Sequence, residues 1–219
     1  MFVKSKAIGE RHSKLGPLLY ASAVQYFIIQ ILAGIRFVPH YSLTRNAISD
    51  LGNSSCGIFN NRQICSPLHT LMNLSFLTLG ITMITGSLLL CQSFKKSRKT
   101  VVGFTLFAIG GAGTALVGIF PENTVPALHG IGAALPFLIG NVGVVILGFS
   151  LEVPKILRIY TVLTGSIALA ALGVYASGRY IGLGEGGLER VVAYPQTIWI
   201  IILGIYSLAQ LTNTPKQIS

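Results

Sequence analysis

Ionisable side chains are scarce in this chain. Asp and Glu together number 6 in 219 residues, and all charged residues make up only 10%. Soluble domains carry about 25%, so an ordinary water-soluble fold is excluded. Cysteine occurs three times and tryptophan once, which excludes a disulfide-dense secreted scaffold. No G-x-S-x-G and no H-E-x-x-H is present, so neither a serine-hydrolase elbow nor a zincin helix is written here. "GLGEGG" at 182–187 fits a dinucleotide fingerprint, but it lacks the preceding strand of a βαβ unit and reads as a flexible loop.

What is abundant is apolar length. Hydrophobic residues make up 52% of the chain, and the mean hydropathy is +0.69. Six runs near 15–35, 68–91, 101–120, 127–150, 156–177 and 196–213 are long enough to span a bilayer. Backbone groups in lipid must be bonded within the segment, so each run is predicted helical. The fold class expected is all-α: one membrane domain over 1–219, six transmembrane helices in a compact bundle. The first run is too long for a cleaved leader and no clear small-residue cleavage site follows it, so it is read as a membrane helix.

Basic residues set the expected orientation. With a cytoplasmic N-terminus, eleven fall inside: Lys4, Lys6, Arg11, Lys14, Lys95, Lys96, Arg98, Lys99, Lys155, Arg158 and Lys216. Five fall outside: Arg36, Arg45, Arg62, Arg179 and Arg190. Every lysine is then inside, which favours both termini in the cytoplasm of a plasma-membrane, multi-pass protein. Residues 1–14 become a basic cytoplasmic segment, 214–219 a cytoplasmic tail and 36–67 an extracytoplasmic loop. The net charge of +10 is this topology signal. It would also meet anionic lipid, and no basic stripe with interleaved aromatics points to nucleic acid.

The same orientation gathers the polar chemistry outside. Asp50, Glu122, Glu185 and Glu189 lie there with His40, His69 and His129. Asp50, Glu122, His129 and Glu189 are the candidate acids and bases, because burial near a membrane pushes carboxyl pKa values up. Arg45, Asn46, His69, Asn73 and Arg190 are the candidate binding residues, the arginines for a phosphate or carboxylate. Cys56 and Cys65 share the first outer loop and are expected to form a disulfide. "NSS" at 53–55 matches a glycosylation acceptor. On the fourth run, His129, Gly132, Ala133, Pro136, Gly140 and Gly143 fall on one side at helical spacing. "TRNAISDLGN" is expected to form a short helical turn closed by a left-handed Gly52, with Ser42 or Thr44 at its start. Ile48 and Leu51 would pack down, and Asp50 would pair with Arg190 or Arg45.

"NAISDLGN", "PLHTLMN", "FPENTVPALHGIGA" and "GLGEGGLERVVAYPQTIW" together resemble domain-of-unknown-function family 998, six-helix prokaryotic membrane proteins, over about residues 15 to 212. The resemblance picks out Asn46, Ser49, Asp50, Gly52, His69, Asn73, Pro121, Glu122, His129, Glu189 and Arg190. "ISDLG" is also similar, more distantly, to Frag1/DRAM membrane proteins, some of them linked to lipid remodelling. The outer histidines resemble in chemistry the zinc site of alkaline-ceramidase-like membrane hydrolases. The spacing differs, so no metal and no cofactor is expected. Three functions follow from the pattern: an enzyme acting on a membrane lipid or lipid-linked group at the outer leaflet; a scaffold, sensor or partner subunit whose polar cluster is structural, with Glu122 capping a helix; or small-solute binding and transport. Nothing in the sequence specifies an oligomeric state.

The orientation is checked by cysteine accessibility. A thiol placed at Asn60 should react with an impermeant reagent added outside cells, and one at Ser97 should not.

Overall fold

The structure, a computed structural model, describes residues 14–213. The expected cytoplasmic segment, apart from Lys14, and the tail at 214–219 lie outside the described residues, and with them Lys4, Lys6, Arg11 and Lys216. Six helices among the described residues are long and apolar enough to cross a membrane. They are α1 (Leu15–Ile35), α2 (His69–Ser93), α3 (Arg98–Ile119), α4 (Pro126–Ser150), α5 (Lys155–Ala176) and α6 (Gly184–Asn213). Isoleucines such as Ile35, Ile31 and Ile156 stand exposed on their outer surfaces, as side chains facing lipid should.

Each helix packs on its neighbour in sequence, and α6 returns to α1, so the six close into a ring. Small residues set how tightly it closes. A side chain on Gly80 of α2 would strike the backbone of Gly111 and Ala115 on α3, so α2 and α3 lie backbone to backbone, as membrane helices do where the interface is small. The face predicted for α4 is correct: His129, Gly132, Pro136, Gly140 and Gly143 are buried and Ala133 is half-buried.

Two features of the helices differ from expectation. The wide i→i+5 turn at Leu135–Gly140 interrupts α4. Pro136 sits inside it, and the Asn141 side chain donates to the carbonyls of Pro136 and Phe137. Insertions of this kind are frequent at functional sites. The last helix begins at Gly184, not near 196, and runs through Pro195. The proline marks a helix start only by habit: membrane helices tolerate it internally where neighbours satisfy the freed carbonyl. Glu185, Glu189 and Arg190 therefore sit on helix, and only the first residues of "GLGEGG" are loop.

The segment between α1 and α2 is built, not slack. A 3₁₀ turn spans Ser49–Gly52. A hairpin follows, β1 (Gly57–Phe59) against β2 (Arg62–Ile64), with Phe59 opposite Arg62. Asn60 and Asn61 both take positive φ, 48° and 57°, the conformation that a two-residue hairpin turn requires and asparagine tolerates. The Cys56–Cys65 disulfide forms as expected, with Cα atoms 4.2 Å apart, and brackets the hairpin.

Candidate functional site

The connections at 36–68, 120–125 and 177–183 meet at one end of the ring, here the polar end. The remaining two meet at the opposite, basic end, where Lys95 pairs with Glu152 at 3.0 Å. The 3₁₀ turn lies across the polar end with Ile48 and Leu51 buried, 2% and 0% exposed, as its apolar underside. Ile48, just before the turn, and Ser49 and Asp50 within it engage three different partners.

Ile48 presents its N–H to the Glu189 carboxylate on α6 at 2.6 Å. The Ser49 hydroxyl lies 2.9 Å from His129 Nε2 on α4. The other ring nitrogen, Nδ1, lies 2.9 Å from the Phe120 carbonyl, which can only accept. That bond places the proton on Nδ1 and leaves Nε2 as an acceptor, so Ser49 donates. Asp50 is 0% exposed and accepts from Asn46 Nδ2 at 2.8 Å, Ala47 N at 3.1 Å, and Arg62 through Nε at 3.2 Å and Nη2 at 3.1 Å.

The arginine that neutralises Asp50 is therefore Arg62, neither Arg190 nor Arg45. Arg62 comes from β2, aimed by the hairpin, and also reaches Glu185 on α6. Burial works to lower the Arg62 pKa, but hydrogen bonds to Asp50, the Asp50 charge and Glu185 together raise it. Arg190 faces another way. It donates to the carbonyls of Leu43, Asn46 and Gly186 and to the hydroxyls of Tyr41 and Tyr194, stitching the loop to α6. Arg45 is exposed and, among the described residues, takes part in no ion pair.

The other predicted residues act as fasteners. Asn73 donates to the Gly52 carbonyl at 2.9 Å. Gly52 does not take a left-handed conformation; a side chain there would push against the Asn73 amide that bonds its carbonyl. Ser42 caps the turn before, accepting from Arg45 N at 3.3 Å and donating N–H to Asn46 Oδ1 at 3.0 Å, and does not start the 3₁₀ turn. His69 bonds only its own end of α2, Nδ1 to the Ser66 carbonyl at 2.8 Å. Asn53 is 1% exposed and donates to Glu122 at 2.9 Å, so it is no glycan acceptor. Glu122 accordingly binds the loop and caps no helix. Among the described residues no group of three His, Cys, Asp or Glu is placed to hold a metal ion.

Below the turn, on the ring's axis, is a cavity of about 50 Å³, room for a few waters or a short apolar segment. Ser49 and Glu189 line its polar end; Phe76, Leu79, Met83, Val117 and Phe137 form most of its wall. Gln196, deeper on α6, lines it too, and its Oε1 is buried with no partner. Arg62 and Gln196 are not among the residues expected at the site, and Ser49 is picked out only by the family resemblance, with no role assigned. A two-asparagine turn between the cysteines is the signal that would have found Arg62.

The site carries two testable consequences. Arg62→Ala leaves Asp50 buried and unpaired, and should lower stability by about 3–5 kcal/mol. Arg62→Lys should restore only part of it, since an ammonium cannot make the two-pronged contact; thermal melts of the purified protein read both. The second concerns Glu122. Burial, the charge of Asp50 and a hydrogen bond shared with Asp50 push its carboxyl from 4.5 up to about 9, against a smaller opposing effect of Arg62. The folded state therefore keeps a proton that the unfolded chain releases. That contribution is whole below pH 4.5 and is lost as pH rises through about 9. Glu122→Gln, which mimics the protonated acid, should flatten the decline in melting temperature over this range and melt above wild type at its alkaline end.

No curated protein and no solved structure matches the chain. A family model does: the one described as "Protein of unknown function (DUF998)" matches residues 20–206. With most of the chain covered and six membrane-spanning helices in place, the protein is a multi-pass membrane protein that belongs to this family.

Proposed function

We propose that this protein binds and acts on a lipid or lipid-linked molecule at the outer leaflet of the plasma membrane. Both termini would lie in the cytoplasm, and the polar end would face outside. The observation that carries this reading is the axial cavity, an apolar wall with Ser49 and Glu189 at its polar end. Such a site matches an amphipathic ligand: a few convergent polar groups orient it and the apolar lining supplies affinity. The cavity holds only the reacting part of such a molecule. The loop that carries the turn is tied to the rest of the ring by individual side-chain bonds, which would open transiently to admit the ligand and close again over it.

A second reading has its own support. Asp50, Glu122, Glu189 and Arg190 each have a partner in the loop or on a neighbouring helix, as they would if the cluster only held a scaffold or partner subunit together.

Native mass spectrometry decides between them. Wild-type protein extracted from membranes should retain one phospholipid or lipid-linked molecule more per chain than Ala193→Phe, which fills the cavity from α6. Equal retention by two equally stable proteins would remove the binding reading and leave the scaffold.

A further inference from the structure

We infer that Ser49 is an acyl-transfer nucleophile with His129 as its general base, so that the molecule acted on is a carboxylic ester. This rests on the binding reading above and names its chemistry. Three relations at the polar end carry it.

The first is order. Ser49 borders the cavity, its hydroxyl stands 2.9 Å from His129 Nε2, and the Phe120 carbonyl stands 2.9 Å from Nδ1. An activated nucleophile needs this sequence: a hydroxyl facing the substrate, a base in hydrogen-bond reach, and a third group that fixes the base's tautomer. Here the third group is a backbone carbonyl. The second is rigidity. Asp50, the neighbour of Ser49, is locked by Arg62, and the loop is tied by Asn53 to Glu122, two residues after Phe120. Both sides of the Ser49–His129 bond are therefore held from outside it. The third is the lining. A few polar groups, Ser49 and Glu189, stand at one end of a wall formed by Phe76, Leu79 and Met83, which suits the neutral carbonyl and the acyl carbons of an ester.

The chemistry balances with water as the second substrate. Ser49 Oγ attacks the ester carbonyl carbon and its proton passes to His129 Nε2. The tetrahedral adduct collapses, the ester C–O bond breaks, and the leaving alcohol takes the proton from Nε2. Water then attacks acyl-Ser49, giving its proton to His129. The acyl–Oγ bond breaks, the carboxylic acid leaves, and the proton returns to Ser49.

The test uses diisopropyl fluorophosphate on the intact protein in detergent. Ser49 Oγ should displace fluoride from phosphorus, and peptide mass spectrometry should place a single adduct on Ser49. His129→Gln should slow this labelling by about 10²-fold or more, while its Cys56–Cys65 disulfide and monodispersity match wild type. An inert wild type, an adduct elsewhere, or labelling of Ser49 at an undiminished rate in His129→Gln would each overturn the inference and leave the pair as a structural hydrogen bond. The outcome is separable from the binding reading. Retained lipid with an inert Ser49 defeats only the nucleophile. A reactive Ser49 with no cavity-dependent lipid defeats only the lipid, and leaves a small soluble ester as substrate.

Discussion

A carboxylate with no exposure to water governs the polar end. Asp50 is 0% exposed, and a polar group so placed is costly unless hydrogen-bonded partners surround it. Two prongs of Arg62, the amide of Asn46 and the N–H of Ala47 surround Asp50. Much of the surrounding construction serves to deliver that guanidinium. The disulfide closes a short loop, the Asn60–Asn61 turn reverses the chain, and the register of Phe59 against Arg62 sets the side chain's direction. Buried ion pairs add little net stability over an apolar substitute, but they are specific about geometry. Here the geometry specified is that of the turn, so Asp50 fixes where Ser49 points.

The cavity beneath has a comparable local cause. Elsewhere the ring is packed backbone to backbone, with glycines at the contacts. At Leu135–Gly140 the helix widens, and Pro136 and Phe137 of that stretch border the cavity. The widening also leaves polar atoms imperfectly satisfied. Asn141 repairs two carbonyls with its amide nitrogen, yet its own Oδ1 and the Oε1 of Gln196 are buried without partners. Native interiors rarely leave acceptors so, and Gln196 is one of the residues bordering the cavity.

The helices were legible in the sequence because lipid imposes a crude rule, about twenty apolar residues per crossing. The facing of α4 was legible because small residues and His129 recur at helical spacing. The Cys56–Cys65 bridge was legible from proximity alone. The start of α6 was misplaced because Pro195 imitates a helix beginning and three glycines imitate a loop. The partner of Asp50 was missed for a different reason. Which arginine of the polar end reaches it depends on a hairpin three residues wide on each side, a feature that the apolar periodicity of six helices does not announce. Gly52 was assigned a left-handed turn, whereas its true constraint, the approach of Asn73, is a tertiary contact no local pattern announces. Ser49 carries no elbow motif, so its pairing with His129, 80 residues away, is visible only once the ring has closed.

The other end of the axis bears on what such a site can do. One turn beyond Gln196 lies Trp199, fully buried, whose indole N–H bonds Thr161 at 2.9 Å. Its ring meets Phe107 at 5.2 Å and Tyr20 at 6.4 Å between centroids, and Tyr20 is tied to Ser87 by a 2.7 Å hydrogen bond. These three aromatic side chains, 0% exposed, fill the axis between the cavity and the basic end. Edge-to-face packing of this kind is dense and does not part without losing its contacts. Alternating access would require the site to open toward both faces by rocking one part of the bundle against another. In this ring the charged and hydrogen-bonding residues that tie elements together are concentrated at the polar end, and the basic side is closed by an aromatic core. A cavity bordered by Ser49 and Glu189, with a packed aromatic core between it and the basic end, fits the proposed reading of a molecule held at the polar end better than it fits transport.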